Sequence, residues 1–216
     1  MIPMKSRRTP LRPKRATPRA THPAARAKQP LPILVVGLTG PNASGKGEVA
    51  SFLAASGFDV HSLSDAVREE ATRRGLDHSR DHLIRVGVDL RSEHGPGALA
   101  LSVLPRLKGR SVVDSIRNPG EVEVLRRLRH FLLLGIDAPQ ALRFERSLLR
   151  GRLGDGSTLD EFARKEEREN STTQAGQQLL ATLALADVVI DNDGTIADLR
   201  WKVRDALRAR GLDATG

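Results

Sequence analysis

Residues 33–47 read Ile-Leu-Val-Val-Gly-Leu-Thr-Gly-Pro-Asn-Ala-Ser-Gly-Lys-Gly, an apolar run that passes directly into a glycine-bounded loop. No other stretch limits the fold of this chain so tightly. A run such as 33–39, without polar alternation, fits a strand buried on both faces, which occurs in parallel sheets covered by helices. Gly40, four residues, then Gly45 and Lys46 form a phosphate-loop (Walker A) pattern. In such a loop the backbone N–H groups point inward and the next helix adds its positive end, so the loop holds polyphosphate.

The three fixed positions alone would occur by chance in roughly one chain in sixteen of this length, so the context decides. After the loop, Val49, Phe52 and Leu53 fall at helical spacing, and Gly57 is a helix stop. Strand, glycine loop and helix in that order is what the motif requires. The competing reading is a glycine-rich turn between strand and helix. The residues expected to touch a bound nucleotide are Gly40, Asn42, Ala43, Ser44, Gly45, Lys46, Gly47 and Glu48, with Lys46 reaching the β- and γ-phosphates. One departure stands out. The usual Ser or Thr after the lysine, whose hydroxyl binds Mg²⁺, is replaced by Gly47, followed by Glu48. Magnesium is then held through Ser44, Asp114 or water, or catalysis is lost.

Charge divides the chain. Of its 35 Lys and Arg, nine lie in residues 1–30, which hold no acid; the other 26 balance the 26 Asp and Glu. That segment also carries six prolines. It cannot bury enough apolar surface to offset its ordering entropy, so 1–32 is expected to be a disordered tail. A basic arm can touch nucleic acid, or it is a solvated tail or a start codon assigned too far upstream; no aromatic residue interleaves the charges to stack bases. The tail lacks the apolar centre of a secretory signal, and its Arg-rich character leaves an organelle transit peptide open. No run of about 18 apolar residues exists, so no membrane span is expected. With no Cys, disulfides, thiol catalysis and Cys-zinc sites are excluded, which is compatible with the cytoplasm.

Past the loop the pattern alternates. Strands are expected at 58–63, 111–114, 131–137 and 188–191. Helices are expected at 64–74, with Ser64 as N-cap, and at 79–93, 97–107, 119–128, 138–150, 158–169 and 173–184. A last helix opens with Thr195 and Asp198 as a capping box and carries the stripe Ile196, Leu199, Val203 and Leu207, with Trp201 at its edge. The fold class is α/β, a five-stranded parallel sheet with helices on both faces. Ligands then sit at the C-terminal ends of the strands. Those ends carry Ser64, Asp65 and Arg68; Asp114 and Arg117; Arg143, Arg146, Arg150 and Arg152; and Asn192 and Gly194.

On these residues the chain resembles the nucleoside monophosphate kinase group of P-loop proteins, from about residue 33 to 207. The Gly-Lys-Gly loop looks like that of adenylate kinases, which have Thr where this chain has Glu48. Residues 62–68 are similar to the Asp-x-x-Arg segment that grips the acceptor monophosphate there. Asp114 and Arg117 resemble the Walker-B-like Asp and the downstream Arg on the same phosphate. Residues 186–194 are close to the ending of dephospho-coenzyme A kinases. With its Leu90-Arg91 and Gly95-Pro96 segment, the whole pattern looks closest to uncharacterised kinase-like proteins and to the kinase-like domain of some deoxycytidylate deaminases.

The resemblance implies ATP and Mg²⁺ as cofactors and a small nucleotide acceptor, and it divides the chain into the tail and a kinase-like domain at 33–216 with a lid about 143–172. Phosphoryl transfer needs mostly positioning and charge neutralisation, so cations must surround the gap between two phosphate-bearing substrates. Arg suits this because its planar fork binds phosphate bidentately. Arg68 and Arg117 would clamp the acceptor, with Ser64, Asp65 and Arg91 as further contacts. Arg143, Arg146, Arg150 and Arg152 would come from the lid, and Asp114 would orient Mg²⁺ or its waters. Each has an ordinary alternative: Asp114 as a turn cap, Arg68 solvated beside Glu69 and Glu70, the lid arginines as the polar face opposite Ala141, Phe144 and Leu148. His78 and His82 have helical metal-ligand spacing but no third ligand nearby, which favours a solvated face. The expected activity is an ATP-dependent nucleotide kinase in the cytoplasm. The alternatives are a nucleotide-binding regulatory module with little turnover, a dephospho-coenzyme A kinase, or nucleic-acid binding through the tail. Oligomeric state is not encoded in these patterns.

Overall fold

The computed structural model describes residues 34–151 and 156–212. The expectations for the tail at 1–32 and for Arg152 lie outside the described residues. Five strands form one parallel sheet: β1 Leu34–Thr39, β2 Asp59–Ser62, β3 Arg110–Ile116, β4 His130–Asp137 and β5 Val188–Asp191, in the order β2-β3-β1-β4-β5. The helices are α1 Lys46–Ala55, α2 Leu63–Arg73, α3 Arg80–His94, α4 Ala98–Val103, α5 Pro119–Leu125, α6 Gln140–Arg150, α7 Leu159–Glu169, α8 Leu179–Ala184 and α9 Ile196–Arg208.

The apolar run of β1 is buried because it is covered twice. Alternate side chains leave opposite faces of a strand. Val36 and Leu38 join Leu132, Leu134 and Ile136 in a core closed by Val49 and Leu53 of α1 and by Leu199, Val203 and Leu207 of α9. Val35, Val113 and Leu133 face the other way, against Leu63, Val67, Val86, Leu99 and Leu125 of α2 to α5. With β1 flanked by β3 and β4, successive crossovers leave in opposite directions from it, and the strand ends there frame a crevice.

Several local expectations hold. Thr195 and Asp198 form the capping box of α9, and α5 begins at Pro119; Asn118 and Glu121, which were not anticipated, form a second capping box there. Others shift for identifiable reasons. β3 runs on to Ile116 through an irregular step at which Ser115 takes a left-handed φ of 65°. α2 begins at Leu63, so Ser62 is its N-cap residue and the Ser64 hydroxyl bonds to Ser62 instead. The expected helix at 97–107 tightens into a 3₁₀ turn at Leu104–Arg106, which contains Pro105. The helix expected at 173–184 forms only from Leu179. Before it, Ser171 and Thr173 bond to local backbone, and Gln174 and Gly176 give their carbonyls to Asn118. Ile196 and Trp201 of α9 are exposed rather than packed.

Candidate active site

The loop after β1 is shaped by its neighbours as much as by its own sequence. Gly40 has φ 136°, and a Cβ there would stand 2.0 Å from the Ile136 carbonyl oxygen at the end of β4. Gly45 has φ 108°, and its Cβ would strike the Asn192 amide at 2.2 Å. Only glycine satisfies both the dihedral and the close approach. Asn192 is buried after β5 and donates from Nδ2 to the Ser44 carbonyl at 2.8 Å. It was expected as a cofactor contact; here it pins the loop from behind. The Lys46 Nζ donates to the carbonyls of Gly40 and Pro41 at 2.8 and 2.7 Å. Withdrawal from water and the Arg117 guanidinium lower its pKa to about 7, with Arg150 and Arg143 adding to the effect and Asp114 opposing it.

A cleft of about 1060 Å³ opens over the loop between α2, α3, the end of β3 and α6. Asn42 to Glu48, Ser64, Arg68, Arg91, Asp114, Arg117, Arg146 and Arg150 all line it. Three buried polar atoms at its walls have no hydrogen-bond partner: Ser44 Oγ, Asp114 Oδ1 and Arg146 Nη1. Leaving such an atom unpaired costs about 1–3 kcal/mol each, and here a hydroxyl, a carboxylate oxygen and a guanidinium N–H stand around one loop. That donor set fits a hydrated divalent cation beside a phosphate: oxygen ligands for the first, N–H for the second.

The arginines separate by partner. Arg146 gives Nη2 to the Asn192 carbonyl at 3.0 Å and Arg150 gives Nη2 to the Asn42 side chain at 2.9 Å, so both reach from α6 across the loop. Arg143 also reaches the loop, with Nη1 3.4 Å from the Asn42 carbonyl. It is buried, donates to the Ala138 carbonyl and pairs with Glu166 of α7, and it lines a separate hollow with Asp137 and Asp191. It ties α6 to α7 and to the loop at once. Arg91 is only 4% exposed and donates to Glu121 Oε1 through Nε and Nη2 at 3.0 and 2.7 Å. Glu121, fully buried, accepts the backbone N–H of Arg117 and Asn118 on its other oxygen. Arg91 therefore positions the Arg117 turn, although its edge reaches the cleft. Arg117 reaches Gln177 Oε1 at 3.0 Å.

On the α2 side, Arg68 bonds to Ser64 and to exposed Asp65, and Asp65 stays outside the cleft. The hydroxyls of Ser62, Ser64 and Ser115 lie together at 2.8 to 3.4 Å, and Ser115 donates to Asp114 Oδ2. Ser62, Ser115 and Gln177 were not anticipated; for the first two, position at a strand end was the available signal. Gly194 is spent beside Asp198 at the cap of α9. Glu48 pairs with Arg200 of α9 at 3.6 Å. Around Gly47 a Cβ would meet nothing within 4 Å. His82 bonds to Asp77 and His78 to Thr72; His78 precedes α3, so the two do not share a helix. No group of three or more metal-ligating His, Cys, Asp or Glu exists among the described residues, and no helix there is long and apolar enough to cross a membrane.

No protein-family model matches the chain. The UPF0200 protein PH1008 of Pyrococcus horikoshii is 37% identical over 180 residues, covering 79% of this chain and 92% of that protein. The crystal structure of TT1252 from Thermus thermophilus aligns over 82% of this chain and 98% of its own, with a TM-score of 0.54 and 25% identity. Shikimate kinase from Bacteroides thetaiotaomicron aligns over 82% and 99%, with a TM-score of 0.55 and 12% identity. At that identity the likeness is one of fold, that of the P-loop kinases.

Proposed function

The chain belongs to the UPF0200 family, and we propose that it is a phosphotransferase moving the γ-phosphoryl of Mg-ATP to a small nucleotide, a (deoxy)nucleoside monophosphate. The observation that carries this reading is the meeting of four cationic side chains, Lys46, Arg117, Arg146 and Arg150, with the unpartnered Ser44 Oγ, Asp114 Oδ1 and Arg146 Nη1 on one cleft. Phosphoryl transfer asks for positioned positive charge and little covalent chemistry, and this is such a set.

The loop backbone would hold the β-phosphate, and Lys46 would leave the Gly40 and Pro41 carbonyls for the β- and γ-oxygens, recovering its charge. Asp114 and the Ser44 hydroxyl would hold Mg²⁺ or its waters, replacing the hydroxyl that Gly47 lacks; the ion would neutralise charge between the phosphates. Arg68 and Arg117 would orient the acceptor phosphate, with Ser62, Ser64 and Ser115 offering hydroxyls beside it. Arg146 and Arg150 would balance the charge on the transferring group. Movement of α6 as part of a lid would exclude water and suppress hydrolysis.

The test is product formation from Mg-ATP with ribo- and deoxynucleoside monophosphates and dephospho-coenzyme A, with Lys46→Ala beside the wild type. Transfer to a monophosphate that Lys46→Ala loses is the expected result. Undiminished transfer by Lys46→Ala would sink the mechanism, and tight nucleotide binding without turnover would make the protein a binding module.

A further inference from the structure

α3 carries a glycine at its centre. Gly87 is buried, and a Cβ added there would meet Arg91 Nη1 at 3.4 Å and Val67 Cγ2 at 3.8 Å, both ordinary contacts. Alanine therefore fits. Because glycine in a helix interior is unfavourable relative to alanine, packing gives no reason for its presence.

The cleft gives one. Arg80, Leu83, Ile84, Gly87 and Arg91 follow helical spacing, and this stripe of α3 lines the cleft from end to end. At 1.5 Å per residue, the stripe spans about 16 Å. Its Arg91 end abuts Glu121 and the Arg117 turn, where the acceptor phosphate is placed above. Its middle is aliphatic: Leu83 and Ile84 are half-buried, and Val67 and Leu99 line the same space. No Phe, Tyr or Trp lines the cleft among the described residues. At Gly87 the helix backbone itself forms the wall.

Resting on the kinase reading above, we infer that Gly87 is a specificity-determining residue of the acceptor site. The bare edge of α3 seats the flat, uncharged ring of the acceptor among Leu83, Ile84, Val67 and Leu99. The missing side chain leaves the thickness that ring needs. A side chain at 87 would occupy the seat while leaving the phosphate loop, on the other side of the cleft, untouched.

The experiment compares wild type, Gly87→Ala and Gly87→Leu in three readouts: KM for nucleoside monophosphates, equilibrium affinity for ATP, and melting midpoint. For Gly87→Ala the melting midpoint is expected to rise by about 2–4 °C while KM for the acceptor climbs about tenfold. Gly87→Leu is expected to raise KM further, and ATP affinity stays unchanged in both. Stability and acceptor binding thus move in opposite directions, which a purely structural glycine would not produce. An unchanged acceptor KM in both variants would overturn the inference while leaving the kinase reading intact. So would a lower melting midpoint for Gly87→Ala, which would mean that the glycine serves Arg91 packing. A wild type that transfers phosphate to no monophosphate in the panel would remove the kinase reading, and this inference with it.

Discussion

Replacing Glu121 by Gln tests how the Arg117 turn is held. Glu121 is fully buried, and its carboxylate accepts four hydrogen bonds: two from Arg91 at 2.7 and 3.0 Å and two from the backbone N–H of Arg117 and Asn118 at 2.8 and 3.1 Å. Glutamine keeps the shape but removes the charge, and its amide hydrogens must face either Arg91 or the two N–H groups. That leaves a guanidinium buried without its counterion, a loss of about 3–5 kcal/mol. Total stability for a domain is roughly 5–15 kcal/mol, so urea unfolding should show a large shift. The exposed Arg68–Asp65 pair is as short, at 2.6 Å, but its side chains are 38% and 59% exposed. Breaking that pair with Asp65→Asn should cost less than about 1 kcal/mol. Arg91→Met should cost as much as Glu121→Gln, and the double variant far less than their sum, because the residues share one interaction. Two small, additive losses would refute the argument.

Two further outcomes follow from the phosphate loop. In the nucleotide-free protein the Lys46 pKa is lowered from 10.5 to about 7. This group therefore opposes folding fully below the folded value, and the penalty fades as pH rises through the window between the two. Incoming phosphates restore the charge, so ATP binding at about pH 8 should take up close to one proton and weaken as pH rises further. Calorimetry in buffers of different ionisation enthalpy reads this, and no uptake in the wild type, or equal uptake in Lys46→Met, contradicts it. At Gly47, where a Cβ meets nothing within 4 Å, Gly47→Thr should fold and should tighten Mg²⁺-dependent ATP binding by about tenfold or more, as an added oxygen ligand would. A magnesium titration with unchanged affinity would show that Asp114 and Ser44 already satisfy the ion.

Much of this protein is local and therefore legible in the chain. The loop motif occupies seven contiguous residues, and its glycines are fixed by backbone dihedrals that sequence alone signals. The unbroken apolar run of β1 declared a sheet covered on both faces, and the Thr195 cap lies within three residues of its partner Asp198. The choice among arginines was not local. Arg143, Arg146 and Arg150 share one face of α6 by helical period, yet Arg143 alone of the three also pairs with a carboxylate of another helix, Glu166, while it reaches the Asn42 carbonyl. Arg91 and Arg117 look alike as substrate contacts in the sequence, but Glu121 binds the side chain of Arg91 and only the backbone of Arg117, whose side chain stays on the cleft. Asn192 and Gly45 lie far apart in sequence and within contact in space. Local periodicity determined where the elements and the loop fall; which charges remain for a ligand was decided by partners that only the folded chain brings within hydrogen-bond reach, because an ion pair has no sequence period.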